Sequence, residues 1–296
     1  MGLPPLDTER VGWLLDAAIA EDVGSGDLTS LAVVPPDAVA AGIFVARTAG
    51  VLAGGPLLGP LFHRLDPAVE IRLLKQDGEP LSKGDAIATV RGPARAVLSG
   101  ERVALNFLQR LSGIATMTRR FAEKAAPHGA KILDTRKTTP GWRHLEKYAV
   151  LAGGGTNHRI GLYDQVLIKD NHLLLAERRW PGRGVAGAIE AARATSPPGT
   201  RIEVEADTLG QVREAIAAGA DIILLDNMTD GQMREAVALV RGHERRPLLE
   251  ASGGVTEARV EAIARTGVDW ISVGALTHSA PALDIALDFE PPTREG

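Results

Sequence analysis

The segment Ala215–Asp226 reads AIAAGADIILLD, and the fold is derived from its pattern. Its alanine- and isoleucine-rich part ends at Gly219, an expected helix C-cap, and four apolar residues then lead to Asp226. The segment Ala262–Asp269, AIARTGVD, repeats this order before a second apolar run. A repeated unit of helix, glycine and short buried strand predicts a parallel sheet or barrel.

The chain after Ala94 continues this alternation of short apolar strands and helices. The predicted strands are Lys131–Asp134, Gln165–Lys169, Arg201–Ala206, Asp221–Asp226, Pro247–Ala251 and Asp269–Val273. The predicted helices between them are Trp142–Ala152, Val185–Ala194, Leu209–Ala218, Asp230–Arg241 and Glu257–Thr266. One long helix is expected over residues 94–126 with a break at Ser112-Gly113, and a last helix over Ala282–Leu287.

The chain before Ala94 has a different order. An amphipathic helix with Val11 and Leu14 on its apolar face comes first. Strand-like runs follow, separated by Gly and Pro, near Ala40–Arg47, Val69–Leu74 and Asp85–Arg91. Grouped strands with few helices favour an α+β unit. The sequence therefore predicts an α/β protein in which this unit precedes the barrel.

Length and charge limit the classes of function. At 296 residues the chain has room for two domains. The net charge is −4, yet the segment Lys131–His172 contains seven Lys and Arg against four Asp and Glu. A cationic cluster in an acidic protein is typical of a small anionic ligand, whereas nucleic acid requires a broad basic face. We therefore expect no nucleic-acid partner.

Composition also bears on the compartment. The sequence contains no cysteine, which excludes disulfides, Cys-zinc sites and Cys nucleophiles. Asp7, Glu9 and Arg10 precede any apolar run, so the N-terminus does not resemble a signal peptide. The longest uncharged run, Thr48–Phe62, is short and contains Gly and Pro, so no membrane span is predicted. These observations predict a cytoplasmic enzyme with no membrane partner.

Polar residues or glycines follow nearly every predicted strand. In βα barrels the functional groups stand at the carboxyl ends of the strands, so these positions form the candidate site. Ordinary turn polarity accounts for one or two such endings but not for six. They are Asp134 with Arg136 and Lys137, Lys169, Glu205, Asp226 with Asn227, Ser252-Gly253-Gly254, and Gly274.

Four cations are candidates for binding an anion: Arg136, Lys137, Arg159 and Lys169. Arginine suits a carboxylate because its planar group makes two parallel hydrogen bonds, and His158 can add a donor. Any one of these cations alone would be interpreted as a solvated surface charge. Lys169 differs because it continues the apolar run Val166–Ile168, and a buried lysine requires an anionic partner.

Two glutamates in the predicted strand Arg201–Ala206 alternate with apolar residues and should point into the barrel. Glu205 is nearer the carboxyl end and is the candidate for substrate contact, whereas Glu203 is expected to be a buried partner of a lysine. Asp226 ends the next strand. Glu205 and Asp226 can hold sugar hydroxyls, bind a divalent cation, stabilise a developing positive charge, or only pair with lysines.

The glycines suggest a phosphate site. Ser252-Gly253-Gly254 precedes Val255-Thr256-Glu257, which is predicted to open a helix. Free backbone N–H groups, the tolerance of glycine for positive φ and a helix N-terminus all favour a phosphate there. Gly274 would let a ligand approach the backbone closely. Together the candidate residues describe a site for a phosphorylated sugar and a small polyanionic partner.

Eight motifs make the sequence resemble the quinolinate phosphoribosyltransferase family. They are Glu21-Asp22 with Gly26–Thr29, Glu101-Arg102 with Leu105–Gln109, Asp134–Gly141, Gly153–Asn171, Glu203–Glu205, Leu225–Asn227, Glu250–Gly254 and His278–Asp284. The motifs are long and extend through almost the entire chain. Small departures, such as Val103 and Trp142, concern no candidate catalytic residue.

The resemblance implies a reaction and a fold. Quinolinate and phosphoribosyl pyrophosphate (PRPP) would give nicotinate mononucleotide, pyrophosphate and carbon dioxide, with Mg²⁺ as cofactor, in de novo NAD biosynthesis. The implied fold is an N-terminal open-faced α/β sandwich in residues 1–113, joined by a C-terminal helix over residues 280–296, and an incomplete α/β barrel in residues 114–279. The resemblance also implies at least a homodimer, in which Arg102 reaches the neighbouring subunit's site.

The resemblance also implies roles for individual residues. Those for quinolinate are Arg102, Thr135, Arg136, His158, Arg159 and Lys169. Those for PRPP and its phosphates are Lys137, Glu205, Asp226, Ser252, Gly253, Gly254 and Gly274. Lys137, Glu205 and Asp226 are the expected catalytic residues, and Glu205 and Asp226 would bind Mg²⁺, partly through water and PRPP.

Three alternatives are weaker on the residues present. A related phosphoribosyltransferase for another base would be favoured by the loss of Arg102, Arg159 or Lys169, and all are present. A non-catalytic phosphosugar binder would be favoured by the loss of Glu205 or Asp226, and both are present. An aldolase-type barrel would use Lys169 as a Schiff-base amine, which leaves the other cations unexplained.

Overall fold

The computed structural model describes residues 2–289. The chain divides into two compact units. The first, here called the N-terminal unit, contains the residues up to Arg119, Thr138–Gly154 and the residues from Leu276 on. The second, the barrel unit, contains Arg120–Lys137 and Gly155–Ala275. The segment Thr138–Gly154 therefore lies with the N-terminal unit, although predicted barrel strands flank it in the sequence.

The N-terminal unit is built on a four-stranded antiparallel sheet, and the three strands predicted before Ala94 are confirmed. In sheet order the strands are β12 (Ile285–Phe289), β1 (Val39–Ala46), β5 (Ala86–Pro93) and β3 (Glu70–Leu73), and a small second sheet pairs β2 (Gly50–Val51) with β4 (Pro80–Leu81). Four helices lie entirely in this unit: α1 (Gly12–Asp22), α2 (Leu28–Val33), α3 (Leu58–Leu65) and α5 (Arg143–Ala152). Two more belong to it in part, namely α4 (Ala94–Ala125) up to Arg119 and α11 (Ala275–His278) from Leu276. The rings of Phe44 on β1 and Phe62 on α3 are fully buried and lie 6.4 Å apart, so α3 covers one face of the sheet.

Contacts of α5 explain why it lies with the N-terminal unit. Glu146 is fully buried and accepts a hydrogen bond from Arg110 at 2.9 Å. The hydroxyl of Tyr148 donates to Asp77 at 2.8 Å. Trp142, just before the helix, stacks on Phe107 with ring centroids 4.7 Å apart. A buried carboxylate needs such a partner, so these contacts fix α5 against α4.

The C-terminal segment forms a strand, so the prediction of a helix over 280–296 is wrong for residues 280–289. β12 pairs antiparallel with β1, from Gly42↔Phe289 to Ala46↔Ile285. Ile285 and Leu287 are buried while Ala286 is only half-buried, which is the period-two pattern of a strand with one covered face. Pairing with a distant strand therefore overrides the apolar composition that suggested a helix, and residues 290–296 lie outside the described part of the chain.

Helix α4 is continuous, so the predicted break at Ser112-Gly113 does not occur. Ser112 Oγ accepts a hydrogen bond from the backbone N–H of Ala53 at 3.1 Å. A Cβ atom at Gly113 would lie 2.0 Å from the carbonyl oxygen of Pro281. The small residues therefore let two other segments approach the helix closely, at the cost in helix propensity that glycine brings.

The barrel unit contains a six-stranded parallel sheet, as predicted. In sheet order its strands are β6 (Lys131–Leu133), β11 (Trp270–Ser272), β10 (Leu248–Ser252), β9 (Ile222–Asp226), β8 (Ile202–Ala206) and β7 (Val166–Ile168). Its helices include α6 (Asp170–Glu177), α7 (Gly184–Thr195), α8 (Leu209–Ala218), α9 (Asp230–Arg241) and α10 (Val260–Ala264). Because β6 and β7 end the order, backbone pairing does not close the ring within residues 2–289, and the barrel is incomplete.

The sheet is curled rather than flat. The ring nitrogen Nε2 of His158 lies 3.1 Å from Glu203 on β8 and 3.4 Å from Glu250 on β10. β9 lies between these two strands, and neighbouring strands are about 4.8 Å apart. Side chains from non-adjacent strands can meet at one ring only if the sheet curves around it.

One local prediction in the barrel unit is wrong, and one helix was missed. The helix predicted over Glu257–Thr266 is limited to α10, and turn residues come before it. Helix α6 follows β7 directly and was not predicted. Within the described part of the chain, no helix is both long enough and apolar enough to cross a membrane.

Candidate active site

The strand register brings predicted site residues to one edge of the barrel sheet. Ser252 on β10 pairs with Asp226 on β9, and Ala206, next to Glu205, pairs with Leu225. Because the strands are parallel, Glu205, Asp226 and Ser252 emerge at the same carboxyl edge. These residues therefore share one environment.

Three carboxylates at this edge form a compact group. One oxygen from each of Glu205, Asp207 and Asp226 lies within 4.8 Å of the others. Burial raises the pKa of Glu205, the charge of Asp226 raises it further, and Lys169 opposes the rise. Oε2 of Glu205 is buried without a hydrogen-bond donor among the described residues. Like charges at this spacing repel, and a divalent cation that prefers oxygen ligands would relieve the repulsion.

Asp207 is the member of this group that the sequence analysis missed. It follows β8 directly, two residues after Glu205 and four after Glu203. The alternation that identified the two glutamates continues through this position, so the signal was present. Asp207 is exposed, whereas Glu205 and Asp226 are half-buried.

Two arginines make a cationic wall in the barrel unit. Arg159 is 9% exposed, and its Nη1 donates a hydrogen bond to the carbonyl oxygen of Gln165 at 3.1 Å. Burial lowers the pKa of Arg159, the positive charge of Arg136 lowers it further, and Glu203 opposes the change. Two guanidinium groups influence each other in this way only when they lie close together. Such a pair is suited to a ligand with two carboxylates.

His158 lies beside this wall but faces the barrel interior. Its backbone N–H donates to Asp134 Oδ1 at 2.9 Å, and its Nε2 faces the buried Glu203 and Glu250. Burial lowers the pKa of His158, but the hydrogen bond to Glu203 and the negative charge of Glu250 outweigh burial and raise the pKa. On the other side of the ring, Nδ1 accepts a hydrogen bond from the backbone N–H of Arg159 at 2.7 Å.

Glu203 is buried, as expected, but its partners among the described residues are not the lysines that the sequence suggested. Its Oε2 accepts hydrogen bonds from His158 and, at 2.6 Å, from the side-chain amide of Gln165. Burial raises the pKa of Glu203, and the hydrogen bond from His158 opposes the rise. Glu250, which had no assigned role, joins it at the same imidazole.

The lysines are at the surface of the barrel unit. Lys169 is exposed rather than buried, because β7 ends at Ile168 and Lys169 is the N-cap residue of α6. Its charge nevertheless acts on Glu205, whose pKa it lowers. Lys137 is also exposed, and its backbone N–H donates to Thr135 Oγ1 at 3.0 Å. Both lysines are therefore surface residues of the barrel unit.

The glycine loop after β10 has the backbone that the sequence predicted. Gly253 and Gly254 have φ values of +94° and +57°, which favour glycine. A cavity of about 100 Å³ beside them is lined by Ser252, Asn227 and Arg259, among others. Since α10 begins only at Val260, the loop offers its own N–H groups and not those of a helix N-terminus.

Asn227 supports the same loop. It has a φ of 51°, and its side-chain amide donates to Asp226 Oδ2 at 2.7 Å. A Cβ atom at Gly253 would lie 2.1 Å from Asn227 Oδ1. Asn227 was visible in the sequence as a strand-end residue, but its positioning role depends on this close approach.

Two predicted residues remain. Gly274 is half-buried and follows β11 by two residues, as predicted for a strand end. Arg102 lies on α4 in the N-terminal unit, where its side chain is exposed while neighbouring Val103 is buried. Arg102 therefore points away from the core of its own unit.

The chain matches two family models along most of its length. Residues 27–112 match the N-terminal domain, and residues 114–288 the C-terminal domain, of quinolinate phosphoribosyl transferase. A probable nicotinate-nucleotide pyrophosphorylase (carboxylating) from Bacillus subtilis is 47% identical, over 93% of this chain and 92% of the relative. A protein of the same description from Synechocystis is 42% identical, over 97% of this chain and 94% of the relative.

Solved structures give the same result. NadC from Streptococcus pyogenes superposes with a TM-score of 0.90 at 38% identity, covering 97% of this chain and 100% of that one. The nicotinate-nucleotide pyrophosphorylase from Francisella tularensis superposes with a TM-score of 0.89 at 36% identity, covering 98% and 99%. The expected fold class is therefore confirmed.

Proposed function

The chain belongs to the quinolinate phosphoribosyltransferase family, and on this premise we propose that it transfers phosphoribosyl from PRPP to quinolinate with loss of carbon dioxide. The product is nicotinate mononucleotide, a precursor of NAD. The observation that carries the proposal is the presence of the Arg136–Arg159 wall and the Glu205–Asp226 carboxylates in one barrel unit. A dianionic base and a phosphorylated sugar need these two groups.

The chemistry is a substitution followed by a decarboxylation. The pyridine nitrogen of quinolinate forms a bond to the anomeric carbon of PRPP, and the bond to pyrophosphate breaks with its electron pair on the leaving oxygen. The ring is then a pyridinium, which can accept the electron pair of the adjacent carbon–carboxylate bond. Carbon dioxide leaves, and a proton replaces it on the ring.

The cations orient quinolinate. Arg136 and Arg159 take its two carboxylates, together with Thr135 and Lys169. The sequence also suggested His158, but its ring nitrogens contact Glu203 and the backbone N–H of Arg159, so it acts beside Arg159. Arg159 is nearly buried, so its interaction with a carboxylate is only weakly screened by water. Orientation also directs the leaving carboxylate away from solvent, which favours its loss.

The carboxylates act on the ribose. Glu205 and Asp226 hold its hydroxyls and stabilise positive charge that develops at the anomeric carbon. The same pair, with Asp207 beside it, fits Mg²⁺, because clustered oxygen ligands and an unbonded buried oxygen of Glu205 suit a hard cation. Mg²⁺ would supply charge neutralisation for the pyrophosphate group.

Phosphate groups are held at the glycine loop. Backbone N–H groups of Ser252, Gly253 and Gly254 take the 5′-phosphate, with Gly274 on a neighbouring strand end. Lys137 lies between the two substrates and neutralises the leaving pyrophosphate, which makes it the third catalytic residue together with Glu205 and Asp226.

The assembly is at least a homodimer, and Arg102 completes the quinolinate site of the partner subunit. Its exposure on α4, among buried neighbours, supports this role. A cytoplasmic location is also part of the proposal, and fractionation of cells that express the tagged chain tests it.

One assay tests the function. Purified protein is mixed with quinolinate, PRPP and Mg²⁺, and carbon dioxide and nicotinate mononucleotide are measured together, with nicotinate as a parallel substrate. Equal amounts of both products from quinolinate alone support the proposal. Activity with nicotinate only, or with neither base, contradicts it.

A further inference from the structure

A buried acidic layer lies behind the cationic wall. Glu203 is 0% and Glu250 is 1% exposed, on two inward-facing strand positions. Glu203 Oε2 accepts from His158 Nε2 at 3.1 Å and from Gln165 Nε2 at 2.6 Å. Neither glutamate belongs to the carboxylate group that holds ribose and metal. Burying two acidic side chains lowers the stability of the fold, so we expect these glutamates to have a functional role.

Two short paths lead from Glu203 to Arg159. In the first, the Gln165 side chain bonds Glu203, and the Gln165 carbonyl accepts from Arg159 Nη1 at 3.1 Å. In the second, the ring of His158 is fixed by Glu203, and His158 directly precedes Arg159 in the chain. Glu203 is therefore attached to both the backbone and the guanidinium group of Arg159.

The loop after Arg159 is anchored separately. Asp164 accepts from the N–H groups of Ile160 at 2.8 Å and Gly161 at 2.9 Å. This turn fixes the backbone that directly follows Arg159. The guanidinium group of Arg159 bonds the carbonyl oxygen of Gln165, so this hydrogen bond joins the two ends of the segment 159–165.

We propose that Glu203 and Gln165 are positioning residues, which hold Arg159 in the orientation that accepts a quinolinate carboxylate. The inference rests on the proposed function for the identity of that ligand. The two parallel hydrogen bonds from arginine to a carboxylate depend on angle as well as distance. A guanidinium group that is no longer held in place therefore binds the carboxylate more weakly, although the protein stays folded. Glu203 also adds negative charge that favours the charged form of Arg159.

The test is Gln165→Leu, which removes the amide and keeps most of the volume. We expect the KM for quinolinate to rise about 10-fold while the KM for PRPP changes less than about twofold, because one hydrogen-bonded link is lost and the phosphate loop is untouched. Gln76→Leu, at an exposed glutamine of the N-terminal unit, is the matched control and should change neither constant.

Glu203→Gln and Glu203→Leu extend the test. The glutamine variant keeps an acceptor oxygen and should recover most of the quinolinate affinity that the leucine variant loses. An unchanged quinolinate KM in Gln165→Leu overturns the proposal. Parallel changes in both KM values and in the unfolding temperature also overturn it, since they indicate only a structural role.

A second readout does not depend on the reaction. The ¹⁵N-labelled Nε–H signal of Arg159 is identified by its absence in Arg159→Lys. In Gln165→Leu this signal should have a different chemical shift from that in the wild type. An unchanged signal contradicts the positioning role even if the enzyme is active. A changed signal in a protein that does not use quinolinate supports positioning and refutes the proposed substrate.

Discussion

Arg159 and Lys169 carry the same charge, but the barrel holds them differently. Arg159 is nearly buried and bonded to a backbone carbonyl, whereas Lys169 is exposed and begins a helix. We expect Arg159→Ala and Lys169→Ala each to lower turnover at least ~10²-fold, because each change leaves a negative charge of quinolinate without its partner. Steady-state rates with quinolinate and PRPP check this.

Arg183→Ala provides the control for these two variants. Arg183 pairs with Glu190 at the surface, and both side chains are 58% exposed. Its loss should leave turnover unchanged, as expected for a surface pair. A near-wild-type rate in Arg159→Ala or Lys169→Ala would remove that residue from the site.

Asp207 tests the metal assignment at the same scale. Asp207→Asn keeps the shape of the side chain and removes one of three clustered negative charges. The Mg²⁺ concentration for half-maximal activity should rise about 10-fold, since affinity for a hard cation depends on the number of charged ligands. Titration of activity with Mg²⁺ measures this, and Asp16→Asn in the N-terminal unit is the control. An unchanged titration would exclude Asp207 from the metal site.

At the scale of elements, replacing two different helix glycines by alanine should change the stability in opposite directions. Gly113→Ala on α4 would place a Cβ 2.0 Å from Pro281 O, whereas Gly59→Ala on α3 meets nothing within 4 Å. The first change should destabilise by roughly 1–3 kcal/mol, because the packed backbone must move. The second should stabilise by about 0.5 kcal/mol, because the unfolded chain becomes less free. Urea unfolding midpoints compare them, and equal midpoints would contradict the close approach.

Glu257 joins the end of α4 to the turn after β10. It accepts hydrogen bonds from Arg120 and, at 2.9 Å, from Lys124. The Arg120 hydrogen bond, followed by that of Lys124, lowers the pKa of Glu257 below its usual 4.5. A lowered folded-state pKa contributes stability above pH 4.5 that is lost as pH falls through the folded pKa.

Glu257→Gln should therefore lose stability at neutral pH and much less in acid. We expect about 0.5–1 kcal/mol at pH 7, the usual range for a partly exposed pair. The difference between variant and wild type should narrow as pH falls below about 4.5. Urea unfolding at a series of pH values checks the sign, and a gap that widens in acid would contradict it.

A helix or strand could be predicted where the sequence of the segment itself determines its structure. The run Ile222–Leu225 between Asp221 and Asp226 predicted β9, because a uniformly apolar strand is typical of a covered parallel sheet. β12 was mistaken for a helix, because its strand character comes from pairing with β1 and not from its own composition. Helix α6 was missed because its sequence has no clear apolar face.

At the scale of the whole molecule, Arg102 predicts shared active sites. Arg102→Ala should be inactive alone, yet activity should return when it is mixed with inactive Lys169→Ala and the subunits exchange. Random pairing makes half of the dimers mixed, with one intact site each, so recovery should approach about a quarter of wild type. Activity after mixing and refolding tests this, and no recovery would indicate a site within one subunit.

The candidate site was only partly predictable. Glu205, Asp226 and Ser252 were found because strand ends meet at one edge whatever the detailed curvature. The contact of His158 with Glu203 and Glu250 was not found, because it requires strands separated by β9 to curl around one ring. The sequence pattern therefore predicts where the site lies, but the contacts in its interior depend on how the barrel sheet curves.

The pairing of β1 with β12 has a consequence for synthesis on the ribosome. Arg47, just after β1, forms an ion pair with Asp288, and these residues are 241 positions apart. At about 5–20 residues per second, one edge of β1 waits roughly 10–50 s for its partner strand. An unpaired edge is a template for association with other chains. We therefore expect a nascent chain that pauses before residue 285 to expose this edge of β1 to other chains.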